Sequence, residues 1–255
     1  MNEVSRQNAI KELINQKGQL KVIDIVNHFS ISPATARRDI TKLAQAGHIK
    51  KVRNGIERNK LTENQPKWAP LSLSNDMNFN EKEKIAKCAA TFCQEYENVI
   101  INCGSTAFLL GRELCNKKVS IITNYFPLAC YLIEHDHENV IIMGGQYNKN
   151  QNVILNPLGM MNDIYAAKWM FTSGKTLTPN GLYKTEILTA LSEQQIIKNV
   201  DKIVVVVDSS KIAMNVDSGM LFCPLDTIDF VITGKEANPQ AIEMIKKSGV
   251  EVILV

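Results

Sequence analysis

The sequence predicts an α/β protein in two parts: a small, basic, helical module and a larger domain built on a mostly parallel sheet. Three observations predict it. The 255 residues are too many for one small module and comfortable for two domains. The charge divides unevenly: residues 1–60 hold 12 Lys and Arg against 5 Asp and Glu, a net +7, while the other 195 hold 17 against 21, a net −4. From Asn80 onward, short apolar runs alternate with helical periodicity, as in strands joined by crossover helices. A composition of 45% hydrophobic and 22% charged residues excludes collagen-like, low-complexity and largely disordered chains. No run approaches the ~18 uncharged apolar residues of a membrane span, and the strongest, Ile203 to Val207, is strand-sized. The opening MNEVSRQNAIKEL has no apolar signal core, and the six cysteines form no CxxC pair. The expectation is a cytoplasmic protein with reduced core cysteines, no membrane partner and no metal.

Three helices open the chain. Residues 2–16 place Val4, Ile10, Leu13 and Ile14 on one stripe, and Gly18 marks the end. Residues 21–29 place Val22, Ile25, Val26 and Phe29 on another. After the turn Ser30-Ile31-Ser32 a third helix begins, with Ser32 as N-cap and Pro33 at the first position, where its missing N–H costs nothing. It runs to about Ala46, is stopped by Gly47, and buries Ala36, Ile40, Leu43 and Ala44. The outer faces keep Ala34, Thr35, Arg37, Arg38, Thr41 and Lys42. Two helices joined by a tight turn, the second with small residues and paired arginines near its tip, fit a helix-turn-helix that enters a major groove. His48 to Ile56 then reads as strand, turn and strand around Asn54-Gly55, a basic wing. Candidate contacts to double-stranded DNA are Ser32, Pro33, Ala34, Thr35, Arg37, Arg38 and Lys42 on the helix, with Lys50, Lys51 and Arg53 on the wing. The winged helix-turn-helix is bounded at residues 1–58.

Residues 59–79 lose periodicity and carry Pro66, Trp68 and Pro70, a linker with a packed aromatic. Residues 80–255 form the second domain. Helices are expected at 80–94, 105–114, 125–135, near 157–163, at 185–199 and at 238–248. Strands are expected at 98–103, 119–123, 139–143, 168–172, 202–207, 229–233 and 250–255. In open α/β sheets ligands bind at the C-terminal strand ends. Here those ends carry Gly104-Ser105-Thr106, Asn124, Gly144-Gly145, Ser173-Gly174-Lys175 and Asp208-Ser209-Ser210-Lys211. Small, hydroxyl and basic residues gathered there suit a phosphorylated, polyhydroxylated ligand. Gly104, Ser105 and Thr106 open a helix and offer an anion site; Lys175, Lys184 and Lys211 supply charge; Asn124 and Asp208 hold hydroxyls. Asn102, Thr123, Gly144 and Gly145 complete the candidate set.

Other motifs have simpler readings. His135-Asp136-His137 reads as a solvated helix end, and Met160, Met161 and Met170 as gap-fillers of the core. The sequence has neither a GxxxxGK[ST] loop nor a nucleophile elbow.

The run ISPATARRDITKLAQAGHIKKVRNG resembles the DNA-binding domain of the DeoR family of bacterial repressors, matching its Ser-x-x-Thr-x-Arg-Arg-Asp pattern at Ser32, Thr35, Arg37, Arg38 and Asp39. Ala36 replaces a larger β-branched residue, and Val52-Arg53-Asn54-Gly55 stands where the family has His-Gly-Gly; both departures are expected to tune operator choice. NCGST, TN, GGQ and DSSK resemble the family's C-terminal sugar-phosphate sensor, which implies a Rossmann-like α/β fold shared with ribose-phosphate isomerases. VIINCGSTAFLLGRE, VIIMGGQYNKNQ and WMFTSGKTLTPNGLYKTEILTALSEQ are similar to the branch of the family that controls L-ascorbate utilisation. That similarity implies L-ascorbate 6-phosphate as an effector that releases DNA, and no cofactor. Where many members carry a Glu four residues before a Lys in the helix over 187–199, this sequence has Thr189 and Glu193. The resemblance ties that change to a lactone phosphate in place of an open sugar phosphate.

A rival reading is a sugar-phosphate isomerase or lactone-processing enzyme, with Asp208 or Glu186 as base; a sixty-residue basic reader serves no purpose there. One such reader makes too few contacts for a unique genomic site, so a dimer or tetramer is expected.

Overall fold

The computed structural model describes residues 3–45, 49–58, 78–156, 158 and 164–255. The chain divides into two compact units between Lys67 and Trp68. The first holds α1 (Glu3–Lys17), β1 (Gln19–Lys21), α2 (Val22–Phe29), α3 (Pro33–Gln45), β2 (Ile49–Val52) and β3 (Gly55–Arg58). Helix α1 ends where Gly18, at φ +74°, donates its N–H to the Ile14 carbonyl at 2.8 Å. Strand β1, too short to show a period, was not expected. It pairs antiparallel with β3 to give the order β1-β3-β2.

That pairing corrects the reading of the wing. The turn is Arg53-Asn54, with Asn54 at φ +63°, and Gly55 is the first residue of β3. A Cβ on Gly55 would lie 2.4 Å from the Leu20 carbonyl oxygen, so the glycine serves a close backbone approach. The core of this unit contains Ile10, Ile14, Ile25, Ala36, Ile40 and Leu43, in line with the expected stripes, together with Leu20, Ile49 and Ile56 from the strands. Ala36 is fully buried, so its small side chain acts on helix packing and touches no base. The Val4 side chain, Ala46, Gly47 and His48 lie outside the described residues, as do 59–77 with Pro66, Trp68 and Pro70.

The second unit comprises α4 (Phe79–Ala90), β4 (Asn98–Ile101), α5 (Ser105–Leu114), β5 (Ser120–Thr123), α6 (Phe126–Glu134), β6 (Val140–Ile142), β7 (Gln146–Asn148), β8 (Val153–Leu155), β9 (Ala167–Thr172), β10 (Thr176–Thr178), β11 (Gly181–Lys184), α7 (Ile187–Gln194), β12 (Val200–Val206), β13 (Met220–Pro224), β14 (Phe230–Thr233), α8 (Pro239–Lys247) and β15 (Glu251–Leu254). Seven strands form one sheet in the order β15-β14-β12-β9-β4-β5-β6, and every pairing in it is parallel.

Neighbouring strand residues feed opposite faces. Val99, Ile101, Phe171, Val204 and Val206 pack with α4, α5 and α6; Ile100, Met170, Val205 and Val231 pack with α8 and the second sheet. Burial on both faces explains why these strands read as continuous apolar runs. Two features escaped the sequence: the β7-β8 hairpin and the antiparallel sheet β10-β11-β13. Their strands have three to five residues and mix Thr, Gly and Lys with apolar residues, too little for a period to emerge. The helix expected over 185–199 is shorter, closing at Gln194 before a 3-10 turn at Ile197–Asn199. The helix expected near 157–163, with Met160 and Met161, falls outside the described residues except at Leu158. Met170 is fully buried. His135 is exposed, whereas His137 is buried, its ring accepting the Asn116 N–H at 3.1 Å and lying 3.0 Å from the Val119 carbonyl; it ties a loop together and is not a solvated end. Cys223 is buried and the other five cysteines are only half-buried, all of them free. Among the described residues no helix is long and apolar enough to cross a membrane.

Candidate functional site

In the first unit the N-terminus of α3 is built by its own sequence. Ser32 Oγ accepts the Thr35 N–H at 3.1 Å and lies 2.9 Å from the Thr35 hydroxyl, so these two predicted contacts also cap the helix. Ser32, Pro33, Ala34, Arg37, Arg38 and Lys42 are exposed on α3, and Lys50, Lys51 and Arg53 on the wing. The sequence missed what steadies that helix. Asp39 is buried on its inner side and accepts Arg6 Nε at 2.6 Å, Arg6 Nη2 at 3.2 Å and Gln7 Nε2 at 3.2 Å from α1. Arg37 and Arg38 have no carboxylate partner among the described residues. Their charge is available to a polyanion. Between the start of α2, α3 and the wing lies a groove of about 760 Å³, lined by Lys21, Ile23, Pro33, Arg37, Thr41 and Lys51 among others. Lys51 Nζ donates to Thr41 Oγ1 at 2.8 Å, and Lys50 pairs with Glu57 at 3.1 Å. Lys21 and Ile23 join this face only because β1 brings the start of α2 against the wing, a pairing with no local signal.

In the second unit the strand ends form a cavity of about 290 Å³. Predicted residues Gly104, Lys175, Lys184 and Lys211 line it, with Ser173 and Gly174 of the same strand end and Glu186; Cys103, Gln151, Thr185 and Thr189 line it as well without having been candidates, and the predicted Ser105 and Thr106 do not line it. Gly104 sits at φ +142° at the start of α5, and a Cβ there would come 2.8 Å from the Ser173 Cβ. No side chain caps α5, so its first-turn N–H groups have no capping side-chain acceptor. Three hydroxyls of this region, Thr106 Oγ1, Ser173 Oγ and Thr189 Oγ1, are buried and without a hydrogen-bond partner.

Behind the cavity is a buried network centred on Glu193. Its carboxylate accepts Asn102 Nδ2 at 2.9 Å and Asn124 Nδ2 at 3.0 Å, contacts Cys103 Sγ at 3.5 Å, and forms an ion pair with Lys184. Lys184 Nζ also donates to Thr172 Oγ1 at 3.1 Å and stands 4.6 Å from the Phe222 ring centroid. Burial is the largest single influence and pulls the Lys184 ammonium down, but the Glu193 charge and hydrogen bond, with Cys103 and Cys223, together outweigh it and hold the pKa above its ordinary value. Burial, reinforced by the Glu193 charge, pushes the Cys103 thiol up to about 12, so it stays protonated. In this structure Asn102, Asn124 and Lys184 are therefore bound to one another through Glu193. The departure at 189 and 193 becomes intelligible. With a carboxylate at 193 the compensating lysine comes from β11.

The remaining predicted residues disperse. The Thr123 hydroxyl donates to the Ile101 carbonyl at 2.6 Å and does not line the cavity. Asn124 and Gly144 meet in a separate narrow cleft, and Gly145 begins the β7-β8 hairpin under the Leu155 carbonyl. Asp208 turns toward α4: it accepts Asn78 Nδ2 at 2.9 Å and the Ser210 hydroxyl, with Lys82 and Lys211 at 3.9 and 4.0 Å. Burial raises its pKa, but the hydrogen bonds and the two lysines outweigh that and leave the carboxyl below its ordinary value.

Two family descriptions cover most of the chain: the DeoR-like helix-turn-helix domain at residues 6–62 and the DeoR C terminal sensor domain at 77–235. Curated relatives carrying the name HTH-type transcriptional regulator UlaR, from Shigella flexneri serotype 5b (strain 8401) and Escherichia coli (strain K12 / DH10B), are 52% identical over all 255 residues, covering 100% of both chains. Among solved structures, ribose 5-phosphate isomerase A from Methanocaldococcus jannaschii overlaps 53% of this chain and 55% of that one at 21% identity, with a TM-score of 0.40. That likeness is too slight to carry an argument. The full-length relatives are regulators, which sets aside the isomerase reading. With a helix-turn-helix in front and a sensor domain behind, the chain belongs to the DeoR family of DNA-binding transcriptional regulators.

Proposed function

We propose that this regulator is a cytoplasmic repressor that reads paired operator half-sites through α3 and the wing, and lets go when L-ascorbate 6-phosphate fills the strand-end cavity. The observation that carries the ligand class is the pair of buried, unpartnered hydroxyls, Ser173 and Thr189, lining a cavity that also holds Gly104, Lys175 and Lys211. An unsatisfied buried hydroxyl costs about 1–3 kcal/mol, which a polyhydroxylated anion recovers by bonding to it. The uncapped start of α5 and the two lysines suit the phosphate. Lys184 acts as the fixed positive wall of the site, and Asn102 and Asn124 act through Glu193. The assignment of the sugar acid rests on resemblance to the ascorbate branch of the family.

The test is operator release, followed by fluorescence anisotropy and titrated with L-ascorbate 6-phosphate, other phosphosugars and inorganic phosphate. L-ascorbate 6-phosphate is expected to release DNA at the lowest concentration. Lys175→Ala and Lys211→Ala, which remove the two lysines lining the cavity mouth, should each weaken the response roughly ten- to a hundredfold, in keeping with about 1.5–3 kcal/mol per charge-assisted bond, without changing operator affinity in its absence. Wild-type responses from both variants would show the cavity to be misassigned.

A further inference from the structure

Lys211 reaches the cavity from a short stretch of chain that another element holds. After β12 the residues Asp208-Ser209-Ser210-Lys211 close a single 3-10 turn, with the Lys211 N–H donated to the Asp208 carbonyl at 3.0 Å. A turn of this length has too few backbone bonds of its own to fix a side chain. Of its residues only Lys211 lines the cavity. The other three are gripped by the start of α4.

Asn78, the residue before α4, donates from Nδ2 to Asp208 Oδ1 at 2.9 Å and to Ser210 Oγ at 3.4 Å. Lys82, buried on α4, stands 3.9 Å from Asp208 Oδ2. Half-buried Glu81 takes the remaining residue: its carboxylate accepts the Ser209 N–H at 2.6 Å and the Ser209 hydroxyl at 3.1 Å. Two charge-assisted bonds to one residue fix the direction of the turn as well as its position.

A separate feature keeps room for this contact. At Gly234, just past β14, a Cβ would fall on the Glu81 carboxyl group, and the atoms nearest to it all belong to that side chain. The Gly234 backbone is outside the left-handed region, so its conformation does not call for glycine. The charges are arranged to the same end. Asp208 has Asn78 and Lys82 as partners from α4, besides Lys211 at 4.0 Å. An anion in the cavity can therefore draw the Lys211 ammonium without stranding the buried Asp208 carboxylate.

We propose that Glu81 is a positioning residue of the effector cavity: from α4 it fixes the turn at 208–211 and, through it, the Lys211 ammonium that meets the anion. The role rests on the reading of the cavity as an anion site. Glu81 itself does not line the cavity.

Calorimetry on the full chain, titrated with L-ascorbate 6-phosphate and the other phosphosugars, tests the role. Glu81→Ala should weaken binding of the phosphosugar about tenfold, the size of a coupling within one hydrogen-bond network. Gly234→Ala, which displaces the carboxyl without removing it, should do the same. Glu81→Gln keeps an oxygen for the Ser209 N–H and should recover most of the affinity. In a Lys211→Ala background neither alanine should weaken binding further, because the group that Glu81 positions is gone. Far-UV circular dichroism reports folding; if Glu81→Ala does not fold, Gly234→Ala with and without Lys211 carries the same comparison. Wild-type affinity in either folded alanine variant overturns the role, as does a Glu81→Gln variant without recovery. An undiminished effect in the absence of Lys211 also overturns it, by marking a purely structural contact. If no phosphosugar binds the wild type, the anion reading falls and this role with it. Binding that ignores Glu81 overturns the role alone.

Discussion

Asp39 and Glu193 are both buried carboxylates on helices, one in each unit, and they are used in opposite ways. Asp39 sits on the inner side of α3, and its partner Arg6 keeps 13% side-chain exposure. The pair fastens α3 to α1 and leaves Arg37 and Arg38 on the far side. The working surface is outside and the buried charge only holds it. Glu193 has no contact with water at all, and its partners Lys184 and Cys103 line the cavity themselves. There the buried charge is the back wall of the site. A surface reader tolerates loss of its fastening better than a pocket tolerates loss of its wall.

Glu193→Ala should give the largest effect. It strands the Lys184 ammonium and two asparagine amides in a dry interior, and breaking a buried pair this way costs about 3–5 kcal/mol. Urea unfolding followed in the sensor domain reads the loss. Adding Lys184→Met should recover part of it, because a pair removed together leaves no buried charge. A single variant as stable as the wild type would mean that the network stores no stability.

Asp39→Ala is expected to cost about 2 kcal/mol, less than Glu193→Ala because Arg6 reaches water when released. Its effect on DNA should follow the fraction of folded reader. Arg38→Ala sharpens the contrast: stability should hold while operator affinity drops by about 1–3 kcal/mol and one base position loses discrimination. Equal losses on operator and random DNA would make Arg38 a phosphate contact.

The wing should respond more weakly. Lys50 and Lys51 are exposed and their partners Glu57 and Thr41 only half-buried, so these contacts are worth about 0–1 kcal/mol and yield readily to phosphate. Alanine at both should lower the log–log salt slope by about 0.9 per lost phosphate contact, with affinity for all DNA falling alike. An unchanged slope would remove the wing from the interface.

The smallest effect is a pH dependence at His137. Burial lowers its pKa below the ordinary 6.5, against a weaker upward pull from the Val119 carbonyl and the Glu138 charge, so the fold holds the neutral ring. The stability this gives is fully present above pH 6.5 and is lost as the pH falls below it, where the unfolded chain takes up the proton first. His137→Gln should flatten the fall in the urea midpoint of the sensor domain on that side of neutrality.

What the sequence determined by itself was whatever repeats over one turn or one pleat. The stripe of Ile10, Leu13 and Ile14, the Ser32 cap before Pro33, and the apolar runs of β4, β5, β9, β12 and β14 follow from periodicity and capping, which are local. So does the outward set on α3, because residues a turn apart share a face. Gly104, Lys175 and Lys211 were legible because a parallel sheet places strand ends along one edge, whereas the dispersal of Asn124, Gly144 and Asp208 was not. Tertiary structure alone decided the pairings between distant segments. Lys21 reaches the wing only through the β1-β3 pairing, and Arg6 meets Asp39 across 33 positions. Lys184 meets Glu193 because β11 folds back in a small antiparallel sheet whose strands are too short to announce themselves. Buried charge is satisfied wherever a partner can be desolvated beside it. That is set by packing in three dimensions, and spacing along the chain carries no record of it.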